Sequence, residues 1–599
     1  MDLAKMAFAV AMVAAASGVL DARAADFPLA GGDLSLDGNW GGEMPGKSAS
    51  VAIANDGTYT ASSDLAFGSL SVNAAGVTFD FSQTPSRKVV FDGSAQKALT
   101  VAKARSQTVF KGGEWSVADG WDCIFYCGAG AAIGGDNHEV VLDNCVWTNL
   151  SRVYMGQAEG ACRMDMRNSS RVYAKQCFVG NGLKTGNRLS VSGGSEMHLS
   201  HSDNPFYSDN GSAPSSDTGG ITVSGEGSLL SAPSGIFQVG NSHPDIHLDV
   251  TDKASVVAGS FVVGRTSTSK RCRVQVADGA SFAANVKIEV KGEDSRMIVS
   301  NATLTVNSAN NGLTVGCAGL QRQSFSLSGA DSSLSFFPPR CDVFAAGAWN
   351  AEFSVENGAK WSLPEHARIA IAATNCAFRV ADGGEVTLMD RTGTFEFGPG
   401  SGTDNPKFSV SNRIEVCGGG TLGIGGLRLS GTCNSLVVSN ATVVCETRDD
   451  DNVLHIGYSY YKWAEGIAST NCALVLRGKT PKISAPGTLI YLYNGSVLKF
   501  EIPEDGYEKG FVPLEIKHLG GDGKSGTGIE IDCEDFVAKT GGKLTLATVK
   551  SSTGLTSDAT DAMLKAAAAK LPPECTLSWT DRKLVLQSPR RCGFFISVR

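Results

Sequence analysis

Charge is scarce in this chain. Of its 599 residues, 19% are Asp, Glu, Lys or Arg, below the quarter or so usual in soluble domains. The net charge of −8 is spread thinly, and no basic stripe with interleaved aromatics occurs, so the electrostatic footprint of a nucleic-acid partner is missing. Chemical signatures are missing too. There is no G-x-S-x-G, P-loop, H-E-x-x-H or C-x-x-C, which removes the commonest nucleophile, phosphate and zinc motifs. No cofactor is expected. A chain this long exceeds one compact core, so it is either several domains or an elongated stack.

Long hydrophobic runs are missing as well, with one exception. Residues 6–20 form a small, apolar stretch behind Lys5, followed by Ala22-Arg23-Ala24. This is the layout of a secretory signal peptide, too short for a stable membrane span. The mature chain is therefore expected from about Ala25, exported to the cell exterior or surface and without a transmembrane segment.

Glycine, by contrast, is abundant, with 71 residues, and it belongs to a recurring phrase. An apolar pair ends in Val or Leu, a Ser/Asp/Asn/Gly turn follows, and another short apolar strand begins. It occurs as LSVSGGS (189–195), ITVSGEGS (221–228), LDVTDKAS (248–255), VQVADGAS (274–281), FSLSGADS (325–332), FSVENGAK (353–360), FRVADGGE (378–385) and LVVSNATV (436–443). The last apolar residue before each turn serves as an anchor. The anchors are Phe110, Leu142, Met166, Val191, Val223, Val250, Val276, Val299, Leu327, Val355, Val380, Val410, Val438 and Leu476, spaced on average about 28 residues apart. A second register supports the first: Met155-Gly156, Val179-Gly180, Val239-Gly240, Val263-Gly264 and Val315-Gly316 follow their anchors at thirteen or sixteen residues.

Apolar and polar residues alternate over four to six positions, which is strand period, and the breaks are residues that tolerate left-handed turns. Two or three strands per unit with no room for a helix predict an all-β fold: a single-stranded parallel β-helix solenoid of about 14 coils, each of about 28 residues. The expected divisions are a signal peptide (1–24), an N-terminal cap (25–66), the β-helix (67–500) and a C-terminal cap region (501–599). In that last region 557–570 reads as a helix, and 576–580 with 583–587 as a hairpin turning at Asp581-Arg582. Longer loops are expected at 202–218 and 458–469.

The phrases resemble the pectate-lyase-like right-handed β-helix, and most of all the passenger regions of bacterial autotransporters, over about residues 65–500. The resemblance implies handedness and a bacterial source. It departs at the C-terminus, where no membrane barrel is expected.

The 16 cysteines do not suggest a disulfide framework. Cys272, Cys376 and Cys472 share a repeat position but lie three or four coils apart, roughly 14–19 Å at a ~4.8 Å strand spacing, too far for a bond. Cys417 and Cys445 lie seven residues after their anchors in consecutive repeats and are expected to stack, either bonded or as free thiols. Cys123 and Cys127 form a local pair.

Candidate sites are few. Asp449, Asp450 and Asp451, after a strand, suit a calcium or sugar site of a polysaccharide lyase or glycoside hydrolase, or else a solvated loop. His198 with His201, and His243 with His247, are spaced wrongly for metal chelation on a strand. Tyr458, Tyr460, Tyr461 and Trp463 suit a glycan-stacking platform or a satellite core, as do Trp121, Phe125 and Tyr126. The favoured expectation is an exported, non-catalytic, adhesin-like surface or matrix rod with a polysaccharide or cell-surface glycan as partner. The alternative is a carbohydrate-active enzyme on the same scaffold.

Overall fold

The computed structural model describes residues 25–589, except 93–96, 102, 104, 119–123, 128–137, 157–161, 181–185, 209–218, 308–311, 337–339, 346, 364–365, 371–372, 389–393, 398–408, 446–452, 459–469 and 551–557. The fold is all-β with large parallel sheets, and the order of its strands is consistent with a β-helix solenoid. Each circuit lays down strands on three faces. His247–Thr251 lies on the first face, and Ser255–Val263 then spans the second and third. Arg273–Ala277 and Ser281–Val290 repeat the path one level on, paired in parallel with the strands before them.

The anchors form a column up the first face. From Phe110 to Val380 each is the direct neighbour of the next, and all of them are buried. The exception is Val410. The residue that pairs with Val380 and Val438 is Val416, while Val410 joins a separate column of single bridges with Thr374 and Thr432. An insertion before this coil moved the true anchor six positions on. The expected stacking of Cys417 with Cys445 fails for the same reason. Cys417 pairs with Ser439 on the first face, and Cys445 pairs with Ile424 on the second.

The turn chemistry accounts for the phrase itself. After the first-face strand the chain turns through a left-handed residue: Asn144, Asp252, Asp278, Asn301, Asn357, Asp382 and Asn440 all have φ between 49° and 57°. Asn and Asp bear that conformation at least cost. A small buried residue then enters the core: Ala254, Ala280, Ala302, Ala359 and Ala441. The hydrophobic-Gly pairs close the third face. Gly156, Gly180, Gly240, Gly264 and Gly316 all have positive φ, and a Cβ on Gly240 would lie 2.1 Å from the Cys272 sulfur.

Inside, neighbouring coils bring like side chains into register. Trp115 and Trp147 stack at 5.1 Å with planes 11° apart, and Phe353 stacks on Phe325 and Phe378. Parallel strands also come from both flanking segments: Ala25–Phe27 pairs with Ser50–Ile53, and Leu514–Gly521 with Gly542–Val549. Beyond Val549 come the helix Asp558–Ala569 and the antiparallel strands Thr576–Thr580 and Lys583–Ser588. Their turn residues Asp581 and Arg582 both have φ above 0, the backbone of a tight two-residue hairpin. Lys583–Ser588 also pairs antiparallel with Gly542–Val549, which covers the last parallel edge. Among the described residues no helix is long and apolar enough to cross a membrane.

Candidate functional site

On the third face, Gly426–Leu429, Val453–Ile456, Lys482–Leu492 and Leu514–Gly521 lie side by side. Alternation sends Leu427, Leu454, Ile490 and Leu519 into the core. The outward positions then align as Arg428, His455, Tyr491 and Gly520. Gly520 leaves room for the Tyr491 ring, which lies 2.8 Å from where a Cβ would stand. The chain turns at Gly457, φ 78°, and sets Tyr458 against His455 with ring centroids 4.6 Å apart. Tyr493 completes the group, 4.5 Å from Tyr491, 5.3 Å from Tyr458 and 5.7 Å from His455. All four rings are partly exposed.

Polar groups rim this patch. His455 Nδ1 and the Tyr493 hydroxyl share a hydrogen bond of 3.2 Å. The Asn494 backbone N–H donates to Asp522 at 2.9 Å, and Lys524 Nζ donates to the Asn494 side-chain oxygen at 2.6 Å. Aromatic faces beside fixed donors and acceptors suit a ligand that presents both C–H surfaces and hydroxyls.

Burial, helped by the Arg428 charge, lowers the His455 pKa to about 4. Burial likewise raises the Tyr493 hydroxyl to about 12. His455 is therefore neutral at pH 7. Its folded-state value lies below the ordinary 6.5 or so, so its contribution to stability is complete above that pH and is lost as pH falls towards 4. The expected NMR result is an imidazole signal that holds still from pH 7 to 5 and titrates near 4. A midpoint near 6.5 would mean that the ring is not packed as described.

Tyr458 is the one member of the expected platform that lies in the described structure, and it sits in this patch. Tyr460, Tyr461 and Trp463 lie outside the described residues, as do Asp449, Asp450 and Asp451. Three members were missed: His455, Tyr491 and Tyr493. The repeat distance could not find them, because Tyr491 lies 36 residues after His455 while the average unit is about 28.

The other aromatic and histidine candidates disperse. Phe125 is buried against Trp147, centroids 5.2 Å apart, and belongs to the core. Trp121 lies outside the described residues, and Tyr126 is placed only as part of the strand Ile124–Cys127. His198 stacks on Tyr173 and bonds Glu196 at 2.8 Å. His201 Nδ1 accepts the backbone N–H groups of Asp203 and Asn204. His243 is buried, and His247 stands 3.9 Å from Asp249. Among the described residues no three His, Cys, Asp or Glu side chains are grouped to hold a metal ion. A second outward stack, Tyr154–Phe178–Tyr207, has centroid spacings of 4.6 and 5.1 Å, but Tyr154 and Phe178 are buried in it. No protein-family profile matches the chain, and no curated protein or solved structure matches it.

Proposed function

We propose that this chain is an exported, non-catalytic surface or matrix rod of the pectate-lyase-like parallel β-helix class, akin to autotransporter passenger regions, and that it binds polysaccharide or cell-surface glycan through the His455–Tyr458–Tyr491–Tyr493 patch. The observation that carries this reading is the patch itself. Four rings converge on one outward face of a rigid sheet, where nothing about the fold requires aromatic residues. A rod of stacked strands holds such rings at fixed spacing, so little ordering cost is left for binding.

The test is retention of the purified chain, residues 25–599, on immobilised pectins and other neutral and acidic polysaccharides, with the eluate assayed for cleavage products. Retention without cleavage is expected. The double variant Tyr491→Ala/Tyr493→Ala is expected to weaken it at least tenfold, since a few aromatic anchors dominate such contacts. Unchanged retention in that variant would remove the patch from the proposal, and cleavage would overturn the non-catalytic role.

A further inference from the structure

The first face carries a second ordered set of outward groups, on a different side of the coil from the aromatic patch. Alternation points the first residue of each strand outwards, and the parallel register sets these residues one above another. Over six successive strands they are Arg163, Arg188, Gly220, His247, Arg273 and Arg296, each the direct neighbour of the next. Glu139 borders the column at one end and Ser324 at the other. Arg163, Arg188 and Arg296 are exposed, and His247 and Arg273 partly so. Gly220 makes room for the ring of the next level, since a Cβ there would lie 2.1 Å from His247 Nε2.

Like charges are direct neighbours twice in this column, Arg163 with Arg188 and Arg273 with Arg296, about 4.8 Å apart at strand spacing. Such neighbours repel. Elsewhere the same kind of register pairs opposite signs: Asp143 with Arg167, Arg171 with Glu196 and Lys360 with Glu385. Two carboxylates stand in the adjoining outward column. Asp249 accepts Arg273 Nη2 at 2.9 and 3.1 Å, and Asp165 is the neighbour of Ser190. Among the described residues no carboxylate is within salt-bridge distance of Arg188 or Arg296. A surface that otherwise alternates sign has no internal use for two guanidinium pairs, so the missing anion belongs to a partner.

We infer that this column docks a polysaccharide bearing sulfate or phosphate esters. The partner's class rests on the glycan reading above, while the chemistry and the face are new. The choice of anion follows from the number of acceptors. A guanidinium donates through a planar fork and grips an oxoanion by two parallel bonds. Two forks stacked at strand spacing need more oxygens than the two of a carboxylate, and a tetrahedral monoester offers three. Arginine at every fully charged position, with lysine at none, fits the same requirement. Arg188 and Arg273 are three strand spacings apart, roughly 14 Å, so a chain with spaced esters reaches both pairs. Ser190, Thr222 and Gln275 in the adjoining column supply hydrogen bonds for its hydroxyls.

The experiment measures the affinity of the purified chain, residues 25–599, for dextran sulfate, phosphorylated dextran, polygalacturonate, plain dextran and duplex DNA at fixed salt. Tighter binding to one or both ester-bearing dextrans than to the other three is expected, and the stronger of the two identifies the ester. Arg188→Gln/Arg296→Gln is expected to weaken that binding at least tenfold. Its urea midpoint should be unchanged or higher, because the substitution relieves repulsion. Lys253→Gln/Lys360→Gln, which removes the same charge elsewhere, should bind like wild type. So should Tyr491→Ala/Tyr493→Ala, which separates this column from the aromatic patch. No binding to either ester, or equal binding to polygalacturonate or DNA, would overturn the inference. Equal losses in the arginine and lysine variants would do the same, as would a lowered urea midpoint for the arginine variant, which would give the guanidiniums a role inside the fold. Loss of ester binding in the tyrosine variant alone would return the site to the third face.

Discussion

Phe353→Ala is expected to lower the stability of the central coils by about 3–5 kcal/mol, the range for truncating a large buried ring. Phe353 is fully buried, 4.7 Å from the Phe325 ring, 5.5 Å from Phe378 and 4.7 Å from Trp361. In a globular core the neighbours could close part of the gap. Here they cannot approach, because backbone pairing of Phe325, Phe353 and Phe378 fixes the distance between levels. The cavity therefore persists, and the stacked rings on both sides lose a partner. A stack in which each level touches only its neighbours confines the damage. Hydrogen exchange should accelerate around 325–380 and remain unchanged near Phe110. The outward Gln275→Ala, by comparison, should stay within about 0.5 kcal/mol. A urea midpoint for Phe353→Ala indistinguishable from wild type would mean that the levels are not held at strand spacing.

How much of this was legible in the sequence follows from which features must repeat. An inward anchor and a left-handed turn recur in every coil because each level solves the same packing problem. Val250, Val276 and Val299 are therefore aligned by the sequence alone, and they pair in the fold. The hairpin at Asp581-Arg582 was equally legible, from local chemistry alone. Where an insertion broke the interval, the reading slipped to Val410 and carried the cysteine pairing with it. The left-handed Arg271 and Arg322 gave no signal, since arginine rarely takes that conformation. In the structure each side chain is held by a carboxylate of the preceding level, Asp245 and Asp294 respectively. The aromatic patch was half hidden for a different reason. His455 and Tyr491 belong to different coils, and only the register of the third face makes them neighbours.

Asn412→Ala is expected to cost about 2–4 kcal/mol, although it removes few atoms, because it strands a buried backbone donor. Asn412 belongs to an interior column at the entry to the first face, which also holds Cys376, Asn434 and Cys472, all buried. Its side-chain oxygen accepts the Cys376 N–H at 2.8 Å, and its amide donates to the Ala373 carbonyl at 2.7 Å. Asn434 repeats the arrangement one level on, accepting the Asn412 N–H at 2.7 Å. The turn before each strand is thus satisfied by the level above it. Alanine leaves the Cys376 N–H with no acceptor in a dry interior, where water cannot replace it. Asn412→Asp separates the two halves of the role. A carboxylate still accepts from Cys376, but it faces the Ala373 carbonyl without a proton to donate. Burial and that carbonyl should raise the new acid's folded-state pKa above its unfolded value. Stability is then fully present below the unfolded value and is lost as pH rises through the folded one. Urea midpoints of Asn412→Asp are therefore expected to approach wild type on acidification and to fall away towards neutrality, while Asn412→Ala keeps a constant deficit over the same range. Parallel pH profiles for the two variants would show that the Ala373 hydrogen bond contributes nothing to the column.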